Sequence, residues 1–152
     1  MNRRFVLVCV FGAVAAIGAV SSPASAAKPE VYKDRQGVAI DGTDPVAYFT
    51  EGRPVAGSPE YTAEWNGATW RFSSAANRDA FRANPARYAP QFGGYCAWAV
   101  SQGYTASTTP EAWAIVDDRL YLNFSSGIHR RWARDRDSHI ASARRNWPSV
   151  LN

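Results

Sequence analysis

The stretch YTAEWNGATWRFS, residues 61–73, restricts the fold more than any other. Tyr61, Ala63 and Trp65 alternate with polar neighbours, Asn66-Gly67 follows, and Ala68, Trp70 and Phe72 alternate again. Alternation puts one set of side chains on one face of a strand. Asn-Gly between two such runs is a strong hairpin signal, because both residues tolerate positive φ. A second stretch, AWAIVDDRLYLNF (112–124), has the same form with Asp117-Asp118 at its turn.

Helical phrases surround the hairpins. In DPVAYF, Asp44 can cap a helix and Pro45 suits its first position, with Val46, Tyr48 and Phe49 facing the core. SSAANRDAFRANP predicts a helix capped by Ser73 or Ser74, with Ala76, Ala80 and Phe81 as its apolar face and Pro85 as its stop. CAWAVSQG reads as a short helix with Gly103 past its end. From Ser125 a last helix carries Ile128, Trp132, Ile140 and Trp147 on one side and arginines on the other. Hairpins separated by helices, without βαβ alternation, predict an α+β fold: a small antiparallel sheet built from two β-hairpins, with short helices and a C-terminal helix.

The front of the chain has a different character. Arg3 and Arg4 precede an apolar run from Phe5 to about Val20, and ASA follows, with Ala24 and Ala26 at the small-residue positions of a cleavage site. This is the pattern of a secretory signal peptide over residues 1–26. It predicts export by the general route to the periplasm or medium, with no stable membrane span after cleavage. Removing 26 of 152 residues leaves one ordinary domain. The leader takes two of the 17 basic residues, so the remainder barely exceeds the 13 acidic ones. That balance gives no argument for nucleic acid as a partner. Six arginines (130, 131, 134, 136, 144 and 145) concentrate in residues 128–152, which predicts a solvated basic face on an amphipathic helix.

Cys9 leaves with the leader, so Cys96 is the one cysteine that remains. A lone thiol cannot form an internal disulfide. In an oxidising compartment it is tolerated if buried, bound to a metal, or useful for its reactivity. At the start of a short helix, after Gly93-Gly94, the sulfur would meet free N–H groups that lower its pKa. The glycines would allow close access to it. His129 and His139 are the only histidines. On one continuous helix they would lie about 15 Å apart, too far to share a metal, although either could approach Cys96 separately. The candidate metal ligands are therefore Cys96 and His129. Tyr48, Tyr95, Trp98 and Tyr104 are candidates to line a pocket around the thiol, and otherwise belong to the core. No Ser-hydrolase, P-loop or zinc-protease motif is present.

DPVAYF, WNGATWRFSSAANRDAFRANPARYAPQFGGYCAWAVSQG and AWAIVDDRLYLNF, in this order, resemble the YHS domain family, and in particular its exported branch of YHS domain-containing proteins and selenoproteins. The resemblance divides the chain into a leader at 1–26, an extended lead-in at 27–37, a YHS-like domain at 38–127 and the basic helix at 128–152. It implies a small α+β fold. Metal-handling relatives include domains attached to copper-transporting ATPases, and they carry cysteines where this chain has Ala47, Ser73 and Asn77. Their metal site therefore does not transfer, and tight zinc binding is not expected. At the position of Cys96 some members of the branch use selenocysteine, which implies redox chemistry. Three readings stay open: a soft-metal module holding copper through Cys96, a thiol redox protein that cycles Cys96 catalytically with an external thiol partner, and an interaction domain with an inert cysteine.

Overall fold

The computed structural model describes residues 26–152. The expected signal peptide lies outside the described residues, apart from Ala26. Both predicted hairpins form. β1 (Ser58–Trp65) pairs antiparallel with β2 (Ala68–Phe72), and β3 (Trp113–Val116) pairs with β4 (Arg119–Leu122). The turns are of the two-residue kind that needs positive φ twice: Asn66 and Gly67 at 50° and 73°, Asp117 and Asp118 at 49° and 57°. The hairpins do not join, and each remains a separate two-stranded sheet. A lone hairpin is marginal in water, so the helices must cover both.

Six helices do so. They are α1 (Ala47–Thr50), α2 (Ala75–Ala83), α3 (Pro85–Tyr88), α4 (Ala97–Ser101), α5 (Ser126–Arg134) and α6 (Arg136–Asn146). Ser74 caps α2, its side chain accepting from the Asn77 N–H, and Pro85 opens α3. Phe81 is the one fully buried residue of α2. Ala76, expected on the apolar face, is exposed, because α2 touches the core along a narrow line through Ala80 and Phe81. The C-terminal helix is interrupted at Asp135 and continues as α6, which packs on α4. All six C-terminal arginines are exposed. Among the described residues no helix is long and apolar enough to cross a membrane.

The helices and hairpins enclose two cores. The first gathers Val46 and Tyr48 with Trp70 and Phe72 of β2, Phe81, Leu120 and Leu122. The second gathers Phe92, Tyr95, Val100, Tyr121, Trp132 and Ile140. β4 lies between them, sending Leu120 and Leu122 into one and Tyr121 into the other. This explains its unbroken apolar run, since a strand buried on both faces loses its alternation.

The lead-in is integral to this body. Its Lys28 N–H donates to the Leu151 carbonyl near the other terminus, Tyr32 pairs with Gly93, and Val31 is buried. It is not purely extended, since a tight turn at residues 34–37 folds Lys33 back to bridge Ala39.

Candidate functional site

Cys96 ends the turn after Gly94 and occupies the position before the first residue of α4. It is only 1% exposed. Its thiol faces the carboxamide oxygen of Asn123 at 3.6 Å, and its sulfur accepts the Phe124 N–H at 3.3 Å. Backbone N–H groups of Ala99, Phe124 and Trp98 pull the thiol pKa down, as a helix start should, but burial outweighs them and pushes it up. The lowered pKa expected from sequence is thus reversed, because the same packing that brings N–H groups to the sulfur removes water from it.

The glycines before Cys96 also have another role than access to the sulfur. A Cβ on Gly93 would fall within 1.7 Å of the Glu30 carbonyl oxygen, and one on Gly94 within 2.6 Å of the Ile40 side chain. Gly93 lets the lead-in pass close by, and Gly94 makes room for Ile40.

Asn123, at the end of β4, organises the site. It is fully buried, and its backbone bonds to Ala112 and Thr109. Its side-chain oxygen accepts the Trp98 N–H at 3.1 Å. That bond fixes the amide orientation and turns the amide nitrogen toward His129 Nδ1, 3.4 Å away. The amide nitrogen can only donate, so His129 presents a lone pair there and carries its proton on Nε2. Burial, assisted by the neighbouring Arg130 charge, lowers the His129 pKa and favours this neutral form. His139 lies elsewhere, with Nδ1 3.1 Å from the Ser101 hydroxyl. Of the two histidines, the fold brings only His129 to the cysteine, and through an intervening amide.

A cavity of about 310 Å³ is bordered by Cys96, Trp98, Tyr104, Phe124 and Ile128. Tyr104 stands edge-on to Trp98 at 6.3 Å, and the Arg131 guanidinium sits over the Trp98 ring at 5.6 Å. Of the four aromatic residues singled out in the sequence, Trp98 and Tyr104 border this cavity. Tyr48 and Tyr95 are placed elsewhere. Tyr48 is a core residue whose hydroxyl donates to the Pro110 carbonyl, and Tyr95 donates to the Pro29 carbonyl that anchors the lead-in. Asn123, Phe124 and Ile128 were missed in the sequence. A polar residue between an apolar strand and a Ser helix cap, in RLYLNFS, is the signal that could have pointed to Asn123.

The positions that hold cysteine in metal-handling relatives form a different arrangement. Ala47 is buried, and Ser73 and Asn77 both donate to Asp44 Oδ2, each at 2.8 Å. A satisfied hydrogen-bond cluster takes up the space, and it offers no soft donor. Among the described residues no group of three His, Cys, Asp or Glu side chains could hold a metal.

The thiol's surroundings set an expected result. A raised pKa means that the folded protein keeps its proton where the unfolded chain releases it. The associated stability is present below the ordinary thiol value of 9.0 and is lost as pH rises through the higher folded value. Labelling with a disulfide reagent at pH 8 should run at least about tenfold slower in the folded protein than in urea. Equal rates would show an accessible thiolate.

No curated protein and no solved structure matches this chain. Residues 46–92, from the residue before α1 to the turn that leads toward Cys96, match the family model of the YHS domain.

Proposed function

We propose that this chain is a small binding module whose site is the cavity bordered by Cys96, and that its ligand inserts an uncharged apolar group beside a neutral thiol. One observation carries the reading. The two large hydrophobic side chains exposed among the described residues, Tyr104 at 46% and Phe124 at 53%, border the same cavity. Exposed aromatic surface gathered around one concavity favours a ligand more than solvent. The sulfur suits such a floor, being polarisable and favourable against aromatic rings. A redox cycle has less support, since the thiolate is the reacting form and burial disfavours it.

The neutral dye N-phenyl-1-naphthylamine tests the site. It should bind saturably, and Tyr104→Ser with Phe124→Ser should weaken it about tenfold or more, the equivalent of about 1.4 kcal/mol of lost aromatic contact. Both side chains are half outside, so the fold should persist. Unchanged affinity in the double variant would overturn the reading.

A second reading keeps the soft metal. Its support is Asn123, whose one side chain touches both Cys96 and His129, so that its displacement would let a thiolate and an imidazole approach the same ion. Cu(I) accepts such soft, low-coordinate sites. Under this reading Cu(I) competes with the dye, and Cys96→Ser abolishes Cu(I) uptake. Under the first reading Cys96→Ser leaves dye binding largely intact, and Cu(I) has no effect on it.

A further inference from the structure

The seam between the two cores opens at the surface as another cavity, about 340 Å³ in volume. Trp65 reaches it from the first hairpin, and Phe92 and Trp147 from the second core. Arg119, the first residue of β4, and Arg144 of α6 border the same opening. No carboxylate lines it, and neither arginine forms a salt bridge among the described residues. Arg144 makes one long hydrogen bond, 3.4 Å to the Tyr121 hydroxyl, and also borders a neighbouring cavity with Asp117 and Asp137, forming an ion pair with neither, so its guanidinium has N–H donors left for a ligand.

Two arginines without an ion pair among the described residues, both bordering an aromatic cavity, are a specific combination. A surface arginine that serves only solubility has no need of an indole floor, and an apolar crevice has no need of two like charges. Guanidinium groups match planar carboxylates through paired N–H donors. Indole and phenyl rings take a flat ring by stacking or edge contact. The volume lies near the lower end of ligand pockets, which run from about 300 to 1,000 Å³. From these observations we infer a second binding site, for a small aromatic carboxylate, with the ring in the Trp65–Phe92–Trp147 cavity and the acid at Arg119 and Arg144. The site lies apart from the Cys96 cavity and shares no lining residue with it.

Titration of the folded protein with 2-naphthoate tests this, read by tryptophan fluorescence and by the indole N–H resonances. Saturable binding is expected, with the resonances of Trp65 and Trp147 shifting and that of Trp98 still. The uncharged analogue 2-naphthalenemethanol should bind at least about tenfold more weakly, because it lacks the charge-assisted bonds. Arg119→Gln and Arg144→Gln should each reduce 2-naphthoate affinity about fivefold or more, and the lysine variants should recover part of the loss, keeping charge without the planar fork. Circular dichroism of each variant checks that the fold is kept, which exposed side chains should allow. Equal affinity for acid and alcohol, undiminished binding in the double glutamine variant, shifts confined to Trp98, or no saturation below about 10 mM, weaker than ordinary small-ligand recognition, would each overturn the inference.

Discussion

Asp44→Ala is expected to destabilise the protein by about 4 kcal/mol, a large fraction of an ordinary domain's stability. Asp44 is fully buried, and its carboxylate accepts five hydrogen bonds. Oδ1 takes the Val46 and Ala47 N–H groups at 2.9 and 3.3 Å. Oδ2 takes the Ser73 N–H, the Ser73 hydroxyl and the Asn77 amide, all at 2.8 Å. One carboxylate therefore ties the start of α1 to the end of β2 and the first turn of α2. Alanine would leave these donors unmade at once. Ser73 and Asn77 are only half-buried and can turn to water, but the backbone N–H groups of buried Val46 and Ala47 cannot. A buried donor without a partner costs about 1–3 kcal/mol. Asp44→Asn should lose less, since one oxygen remains while an NH₂ now opposes donors. Ser73→Ala should lose only about 1 kcal/mol, because the Ser73 N–H, the Asn77 amide and the helix start keep their acceptor. Urea unfolding midpoints measure the series. An alanine variant within about 1 kcal/mol of the parent, inside the range of ordinary substitutions, would refute the hub.

Asp44 also marks where the sequence stopped being legible. It reads locally as a helix cap with Pro45 first; α1 begins two residues later, at Ala47 after Val46, and Asp44 Oδ1 accepts the Val46 and Ala47 N–H groups while its other oxygen serves residues 29 and 33 positions away. No periodicity or turn rule carries such a contact. The hairpins were readable because Asn66-Gly67 and the alternation around it are local, and the helix start at Ser74 was readable for the same reason. That the hairpins form two sheets was not, because it depends on how β4 is shared between two cores. The site divides similarly. Cys96 at the start of α4 was visible in the sequence. The sign of its pKa shift was not, because local N–H groups and long-range burial oppose each other and only the fold sets their balance. Tyr48 and Tyr95 looked the same in composition as Trp98 and Tyr104. Their hydroxyl partners, the carbonyls of Pro110 and Pro29, are 62 and 66 residues away in sequence. Residues 46–92 carry the family match, yet Cys96, Asn123 and His129 all lie beyond it. The Asp44 cluster falls mostly within the matched segment, and the cavity bordered by Cys96 falls outside.

Gly93→Ala is expected to be the most damaging glycine-to-alanine change among the described residues. Gly93 has φ at +63°, and a Cβ there would stand 1.7 Å from the Glu30 carbonyl oxygen and 2.8 Å from its carbon. These are backbone atoms, so no side-chain rotation relieves the clash. Relief requires the lead-in to move away. The Gly93 carbonyl accepts the Tyr32 N–H at 2.9 Å, so that bond would go, and buried Val31 and the Tyr95-to-Pro29 bond would be disturbed with it. The left-handed backbone alone costs a non-glycine residue about 1–2 kcal/mol. Overpacking against fixed neighbours adds about 1–3 kcal/mol or more. The total expected loss is on the order of 4 kcal/mol, enough to leave part of the population unfolded at 37 °C. Gly67→Ala separates the two contributions. Gly67 has φ at +73°, but nothing lies within 4 Å of the position its Cβ would take. It should show the backbone cost of about 1–2 kcal/mol and little else. Thermal and urea unfolding of both variants gives the comparison, and amide exchange at Tyr32 reports whether the lead-in has come away. If Gly93→Ala loses no more stability than Gly67→Ala, the lead-in is held loosely enough to yield, and the contact between Glu30 and Gly93 is not a constraint on this fold.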